Sequence, residues 1–262
     1  MLNLEMITQK VREISIETGR FLREERLNFK RERVEEKRSH DYVSYVDKES
    51  ERRIVASLSA ILPEAGFIAE EGSGYHGDEE YCWLVDPLDG TTNYIHNNAP
   101  YCVSIALRNK KELLVGVVYE VCRDECFWAW KGSKAYLNGD EIYVSDVSTM
   151  DSAFIALGFP YNYKVYKPMA VHLIEELYGN VGGLRLQGAA AAELCYIAAG
   201  RFEARIESNL GPWDIAAGSL ILMQAGGRVT DFEGGDGFYS GNQVLASNGI
   251  LHNELLNVLK KR

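Results

Sequence analysis

The 262-residue chain has no apolar run approaching the roughly 20 residues that cross a bilayer as a helix, so a membrane span is excluded. Its opening, MLNLEMITQKVREI, mixes charged and apolar residues and is unlike a signal peptide. Cysteine is sparse. The five residues Cys82, Cys102, Cys122, Cys126 and Cys195 are odd in number and lack zinc-ligand spacing. Cys122 and Cys126 flank Arg123-Asp124-Glu125, an expected hairpin turn, and buried reduced thiols in a cytoplasm are the expectation for the set. Excess positive charge is also missing. A net charge of −10 argues against nucleic acid as the primary partner, which needs a basic surface. The one basic cluster, Lys30 to Arg38, alternates with acids and reads as a solvated helix end and loop. There is no internal repeat, low-complexity tract or long linker. No catalytic-cysteine signature is present, and the histidines (His40, His76, His96, His172, His252) have no partner spacing. They are expected on the surface or in loops, without a catalytic role.

What is present is an ordinary globular composition, 46% hydrophobic and 25% charged, long enough to bury a substantial core. Ile7, Val11, Ile14 and Phe21 predict an opening amphipathic helix, followed by a charged loop to His40. Asp47 is expected to cap a second helix, with Ile54, Leu58 and Ile61 inward and Pro63 ending it. Phe67-Ile68-Ala69 and Trp83-Leu84-Val85 are short strands that deliver Glu70 and Asp86. From Tyr101 to Val144, strand-like runs alternate with turn signals, Asn138-Gly139 the strongest, and predict an antiparallel sheet. From Ala153 on, strands and helices alternate, including an alanine-rich helix over 189–199 and another from Trp213 to Ala225. Alternating helix and sheet layers, an α/β arrangement, fit this order.

Three acidic patches then stand out: Glu70-Glu71 in FIAEEGSG, Asp86 and Asp89 in WLVDPLDGTTNY, and Asp214 in GPWDIAAG. Each alone has a bland reading as surface charge or a helix cap, and Asp-x-x-Asp is a weak motif. Asp214, just after Pro212, is what a helix start favours anyway. Together, each at a strand end or helix start, they make an oxygen-rich set of the kind Mg²⁺ takes with water and substrate phosphate. The Gly90-Thr91-Thr92 step opens a helix whose first amides can meet a phosphate. The chain therefore reads as a metal-dependent phosphatase.

Asp86-Pro-Leu-Asp-Gly-Thr-Thr-Asn, preceded by Glu70-Glu71-Gly and followed by Pro-Trp213-Asp214-Ile-Ala-Ala-Gly, resembles inositol monophosphatase and its relatives over nearly the whole chain. Asp41-Tyr-Val-Ser44-x-x-Asp47 and Arg185-x-x-Gly188-Ala-Ala-Ala resemble further family segments. The resemblance implies one domain over 1–262, an αβαβα sandwich with an antiparallel sheet in about 1–147 and a mixed sheet in about 148–262. It implies that Glu70, Asp86 and the Leu88 carbonyl hold a first Mg²⁺, and that Asp86, Asp89 and Asp214 hold a second. Glu70 would also touch a third ion, with Glu71 behind it. Thr91, paired with Glu70, would orient and deprotonate the attacking water, so Glu70, Thr91 and Asp86 are the implied catalytic residues. Asp89, Gly90, Thr91, Ala190 and Glu207 would bind substrate, the amides of Gly90 and Thr91 gripping the phosphate and Glu207 the polyol hydroxyls. Lys37 would fall on the loop that approaches the site. Lithium inhibition and a homodimer are also implied.

Hydrolysis of inositol monophosphate is the first expectation for activity. A fructose-1,6-bisphosphatase or broad sugar phosphatase comes next, and a 3′-phosphoadenosine phosphatase last, because Thr92-Asn93-Tyr94 looks like the inositol branch. From other classes, the alternatives are a regulatory partner of transcription or translation machinery and a structural Ca²⁺ site. The presence of every matching site residue disfavours a non-catalytic relic.

Overall fold

The computed structural model describes residues 2–29, 34–38, 41–72, 79–240 and 242–261. Helix α1 (Leu4–Leu27) starts where the Asn3 side chain accepts the Met6 amide, and it buries Ile7, Val11 and Leu22 along one face. The charged stretch expected as a loop instead contains an antiparallel hairpin, β1 (Val34–Arg38) and β2 (Asp41–Ser44). Pairing satisfies the backbone of a segment too polar to bury. The Lys37 side chain, His40 and His76 lie outside the described residues. Helix α2 (Tyr45–Ile61) is capped by Ser44, not by Asp47 as expected; Asp47 is its box partner, accepting the Ser44 amide at 2.9 Å.

The next segments build a seven-stranded sheet: β3 (Gly66–Ala69), β4 (Tyr81–Asp89), β5 (Cys102–Asn109), β6 (Leu113–Glu120), β7 (Glu125–Trp130), β8 (Ala135–Leu137) and β9 (Asp140–Ile142), adjacent in that order. Short helix α3 (Thr91–His96) leaves the end of β4. Asn138 and Gly139 turn β8 into β9 with φ of 52° and 107°, the left-handed pair that a two-residue hairpin requires. The sheet is antiparallel as expected, except at its edge, where β3 runs parallel to β4. Parallel pairing aims the ends of both strands the same way, which matters for the site.

The remaining elements are β10 (Phe154–Leu157), α4 (Tyr163–Leu177), β11 (Gly183–Arg185), α5 (Ala190–Ala198), β12 (Ala204–Ser208), α6 (Pro212–Gln224), β13 (Arg228–Thr230), β14 (Gln243–Ser247) and α7 (His252–Lys260). Their strands form the mixed sheet β11-β10-β12-β14-β13, parallel through β12 and antiparallel beyond. Three cores stack the layers. Val11 of α1 and Leu58 of α2 pack on Trp83 and Tyr119. Leu194 of α5 and Ile221 of α6 sit between Leu84 and Phe127 of one sheet and Val244 of the other. Leu173 of α4 and Leu255 of α7 cover Ile155 and Ile206. The result is the expected αβαβα order. All of α5 is buried, which explains its alanine-rich, non-amphipathic sequence. A Cβ at Gly116 would stand 2.6 Å from the Ala217 carbonyl, so β6 and α6 touch backbone to backbone.

One histidine departs from expectation. His252 is fully buried, with Nε2 2.9 Å from Thr230 Oγ1 and Nδ1 2.8 Å from Ser247 Oγ. Burial, with Arg228 nearby, lowers its pKa to about 4. The folded state therefore holds this imidazole neutral where the unfolded chain protonates it, below about 6.5. Its stabilising contribution is complete above that pH and is lost as pH falls toward 4. We expect His252→Gln to remove up to about 1.4 kcal/mol per pH unit of wild-type slope in that window. Urea unfolding of both proteins at several pH values measures it; parallel curves would show that His252 does not titrate on unfolding.

Candidate functional site

The acidic segments meet at one end of the large sheet. Register pairs Ala69 with Val85, and the Glu70 amide donates to the Val85 carbonyl at 3.2 Å, so Glu70 leaves β3 beside Asp86. Two carboxylates three apart on a flat strand would face opposite ways. Here Asp86 pairs with Ser104 but Asp89 with Cys102, so β4 carries one extra residue around Pro87-Leu88. This bulge returns Asp89 to the side of Asp86. Asp86 Oδ1 also accepts the Leu88 amide at 2.9 Å, which fixes the turn.

Helix starts restrain the carboxylates. Asp89 accepts the Ala190 amide at 3.1 Å and the Ala191 amide at 2.7 Å, acting as a cap for α5, whose own Ala189 offers no side-chain oxygen. Asp214 accepts the Gly211 amide at 2.6 Å and closes the first turn of α6. The Ser104 hydroxyl donates to the Trp213 carbonyl at 3.1 Å, which docks that turn on β5. Gly90, at φ 87°, starts α3 so close to α5 that a Cβ there would lie 3.2 Å from that of Ala189.

Electrostatically the cluster is strained without a cation. Asp86 is buried and its pKa is raised well above the ordinary value, first by desolvation and then by Glu70, Asp89 and Asp214. Asp214 is raised by desolvation, then by Glu70 and Asp89. Among the described residues no three Asp, Glu, His or Cys side chains already close on a common point. The hydrogen bonds explain why: Asp89 and Asp214 turn oxygens to helix amides. The second oxygens of Asp86 and Asp214 accept no hydrogen bond from the described residues. Clustered like charges, oxygen-only donors and uncommitted oxygens fit a hard divalent cation.

Two contributors were not read from the sequence. Thr91 Oγ1 lies 3.0 Å from Asp47 Oδ1 and 3.0 Å from the Leu88 carbonyl, so Asp47 is a partner of Thr91 beyond the Glu70 that the resemblance implied. Asp47 is buried, and desolvation raises its pKa against the hydrogen bonds of Ser44 and Thr91. One helical turn on, Glu51 Oε2 accepts the Glu71 amide at 2.6 Å. Acids at 47 and 51 continue the inward stripe of Ile54 and Leu58, and that placement was the available signal.

Glu207 projects from β12 in a buried triad. Arg205, 2% exposed, bonds the Glu207 carboxylate through Nη2 and meets Glu193 Oε2 at 2.7 Å through Nε. Glu193 Oε1 accepts the Gln187 and Gly188 amides at 3.0 and 3.1 Å, holding the loop that leads into α5. Burial pushes the Glu193 pKa up to about 7 while Arg205 pulls it down. Gly158 is small because a Cβ there would strike the Glu207 carboxylate. Neither Glu193 nor Arg205 was marked in the sequence.

Comparison with known proteins agrees with this geometry. The profile of the Inositol monophosphatase family matches residues 3–262. The chain is 36% identical over 261 residues to the fructose-1,6-bisphosphatase/inositol-1-monophosphatase of Aquifex aeolicus, covering 100% of this chain and 98% of that one. It is 38% identical over 214 residues to Nus factor SuhB of Escherichia coli K12, covering 81% and 80%. The crystal structure of extragenic suppressor protein suhB from Bartonella henselae superposes with a TM-score of 0.91 at 35% identity, covering 98% and 99%. The chain belongs to the inositol monophosphatase family, a family of phosphatases.

Removing one charge from the cluster should separate folding from function. Asp86→Asn keeps the Oδ1 acceptor for Leu88 but relieves the repulsion. We expect its Tm in EDTA to rise by a few degrees, about 1 kcal/mol or more. Added Mg²⁺ is expected to raise the Tm of the wild type and not that of the variant. Thermal scans of both proteins with and without Mg²⁺ decide it; an unchanged Mg²⁺ response in the variant would remove Asp86 from the cation site.

Proposed function

We propose that this chain is a Mg²⁺-dependent phosphomonoesterase that hydrolyses inositol monophosphate to inositol and phosphate. The main support is the convergence of Glu70, Asp86, Asp89 and Asp214 beside the first turns of α3 and α5. Glu70, Asp86 and the Leu88 carbonyl would hold one Mg²⁺, and Asp86, Asp89 and Asp214 a second. Bound there, the ions supply positive charge to the phosphoryl oxygens and acidify water at neutral pH.

The chain's own residues position and deprotonate. Thr91 has one hydroxyl proton and two acceptors at 3.0 Å, Asp47 and Leu88. Committed to either, it can only accept a further hydrogen bond, so it orients a water by taking hold of one water proton. When Thr91 donates to Asp47, its own hydroxyl proton can pass to that buried carboxylate as Oγ1 takes the proton from water. Glu70 beside Asp86 is a second candidate to take the water proton directly. The Gly90 and Thr91 amides, at a helix start with no intrahelical acceptor, suit the phosphate oxygens. The Ala190 region and Glu207 would line the leaving-group pocket. Arg205 occupies Glu207 Oε2 and leaves Oε1 to accept a substrate hydroxyl.

The name of the Aquifex aeolicus relative supports fructose 1,6-bisphosphate as the second substrate. Relatives named Nus factor support a transcription role as a separate reading. Exposed Val171 and Ile174 of α4, with exposed Tyr178 just beyond its end, suit the proposed homodimer. Five free cysteines suit a cytoplasmic setting, and no helix among the described residues is long and apolar enough to cross a membrane.

Phosphate release from inositol 1-phosphate, fructose 1,6-bisphosphate and 3′-phosphoadenosine 5′-phosphate, with Mg²⁺ and then with excess EDTA, tests the reading. We expect the first substrate to lead, EDTA to abolish turnover, and Li⁺ to inhibit. Full activity in EDTA would overturn it.

Glu207→Gln should lower kcat/KM for inositol 1-phosphate by about 1–3 kcal/mol, because a charged acceptor for the polyol is lost. Hydrolysis of p-nitrophenyl phosphate, which lacks vicinal hydroxyls, should change little. An equal fall on both substrates would place Glu207 in the chemistry or in folding instead.

A further inference from the structure

A cavity of about 340 Å³ lies between α6 and the turn that joins β5 to β6, a volume in the range of small-molecule sites. None of Glu70, Asp86, Asp89 and Asp214 lines it. Its α6 wall is Pro212, Ile215, Ala216 and Ser219, residues on both sides of Asp214 in sequence. Ile68 and Leu84, each two positions before Glu70 and Asp86 on its strand, form part of its floor. Buried Phe238, stacked on Tyr239 with ring centroids 4.2 Å apart, adds an aromatic wall.

The opposite rim is cationic. Arg108, Lys110 and Lys111 line it, in a chain whose net charge is −10. The acidic residue in the lining, Glu112, is already paired with Lys131. Two of the lining residues carry a buried donor with no hydrogen-bond partner among the described residues: Ser219 Oγ and Arg108 Nε. Some helical hydroxyls here bond back to the carbonyl four residues earlier, as Ser15 does to Val11 at 2.9 Å and Thr8 to Leu4 at 2.7 Å, while Ser50 of α2 does not. Ser219 is 0% exposed and does not. A buried donor left unmade is costly unless something completes it.

We propose that this cavity is a second ligand site, for an amphipathic organic anion. A flat apolar body would lie between α6 and the Phe238 wall, hydrogen-bonded by Ser219, with one phosphate, sulfonate or carboxylate head at Arg108, Lys110 and Lys111. Apolar lining and cationic rim together require both halves of that ligand. A bare inorganic anion would leave the floor uncovered, and a neutral ring would leave the rim unmatched. The inference does not depend on the phosphatase reading.

The probe is 1-anilinonaphthalene-8-sulfonate, followed by fluorescence with the intact Mg²⁺-loaded protein at low and high salt. We expect saturable binding of one probe per chain that weakens as salt rises. Charge reversal in Lys110→Glu/Lys111→Glu should weaken it at least tenfold. Ser219→Leu, which fills the cavity from its α6 side, should abolish it. Neutral N-phenyl-1-naphthylamine should bind far more weakly, and inorganic sulfate should not compete at equal concentration. Circular dichroism and Tm confirm that both variants are folded. Should either variant prove unfolded, Ala216→Leu and Lys111→Glu replace them in the same titration. Wild-type affinity in the folded variants, or equal binding of the neutral analogue, would overturn the proposal.

Discussion

Like charge concentrated in a buried place is the constraint around which this molecule is organised. Asp86 sits at the centre, desolvated and facing Glu70, Asp89 and Asp214. Left to themselves, such side chains would swing apart or protonate. The scaffold prevents the first. Two parallel strand ends fix Glu70 and Asp86, a bulge brings Asp89 round, and a proline-started helix fixes Asp214. Each anchoring bond goes to a backbone amide that side-chain motion cannot relax. This is how a protein holds groups in an arrangement that only a later cation makes favourable.

Helix starts supply the restraint because they carry unpaired N–H groups and a positive dipole end. Asp89 shows the economy of this. It caps α5 from about a hundred positions upstream, so that one carboxylate both completes a helix and belongs to the cluster. From α5 the contacts continue through Glu193 to Arg205 and Glu207. The carboxylate cluster and the Arg205–Glu207 pair are thereby both tied to one helix. A buried ion triad of this kind adds little net stability, but removing one member leaves a charge without a partner, so it fixes geometry more than it strengthens the fold.

Much of this was legible in the sequence, and for physical reasons. Periodicity marked α1 and the inner face of α2, turn residues marked the β8–β9 hairpin, and Asp86-Pro87-Leu88-Asp89 marked the cluster. What escaped depends on pairings between distant segments. Asp47 looked like a helix cap because its second partner, Thr91, lies 44 positions away. Glu193 was hidden in an alanine-rich helix, and its meaning comes from an arginine on another strand. His252 looked superficial because burial between Thr230 and Ser247 is set by the β13–β14 pairing, not by its own neighbours in sequence. The parallel edge strand was missed because short apolar runs carry no sign of direction.

The same division explains why reaction class is easier to read here than substrate. The charge-handling half of the site is made of strand ends, a bulge and helix amides, which demand particular residues at fixed spacing. In the proposed reading the leaving-group half would rest on Glu207, with one oxygen held by Arg205, and on the shape of Gly158, Phe159, Pro160 and Tyr166 around it. One free carboxylate oxygen accepts a hydrogen bond from a hydroxyl of any vicinal diol that reaches it. It would therefore favour polyols as a class without choosing among them. Choice must come from the walls, and above all from the segment after β10, where Tyr161 reaches across to Thr92 with their hydroxyls 3.2 Å apart. In that reading these residues would meet the leaving group's outline and not its reacting atoms, so the chemistry could stay fixed while they vary.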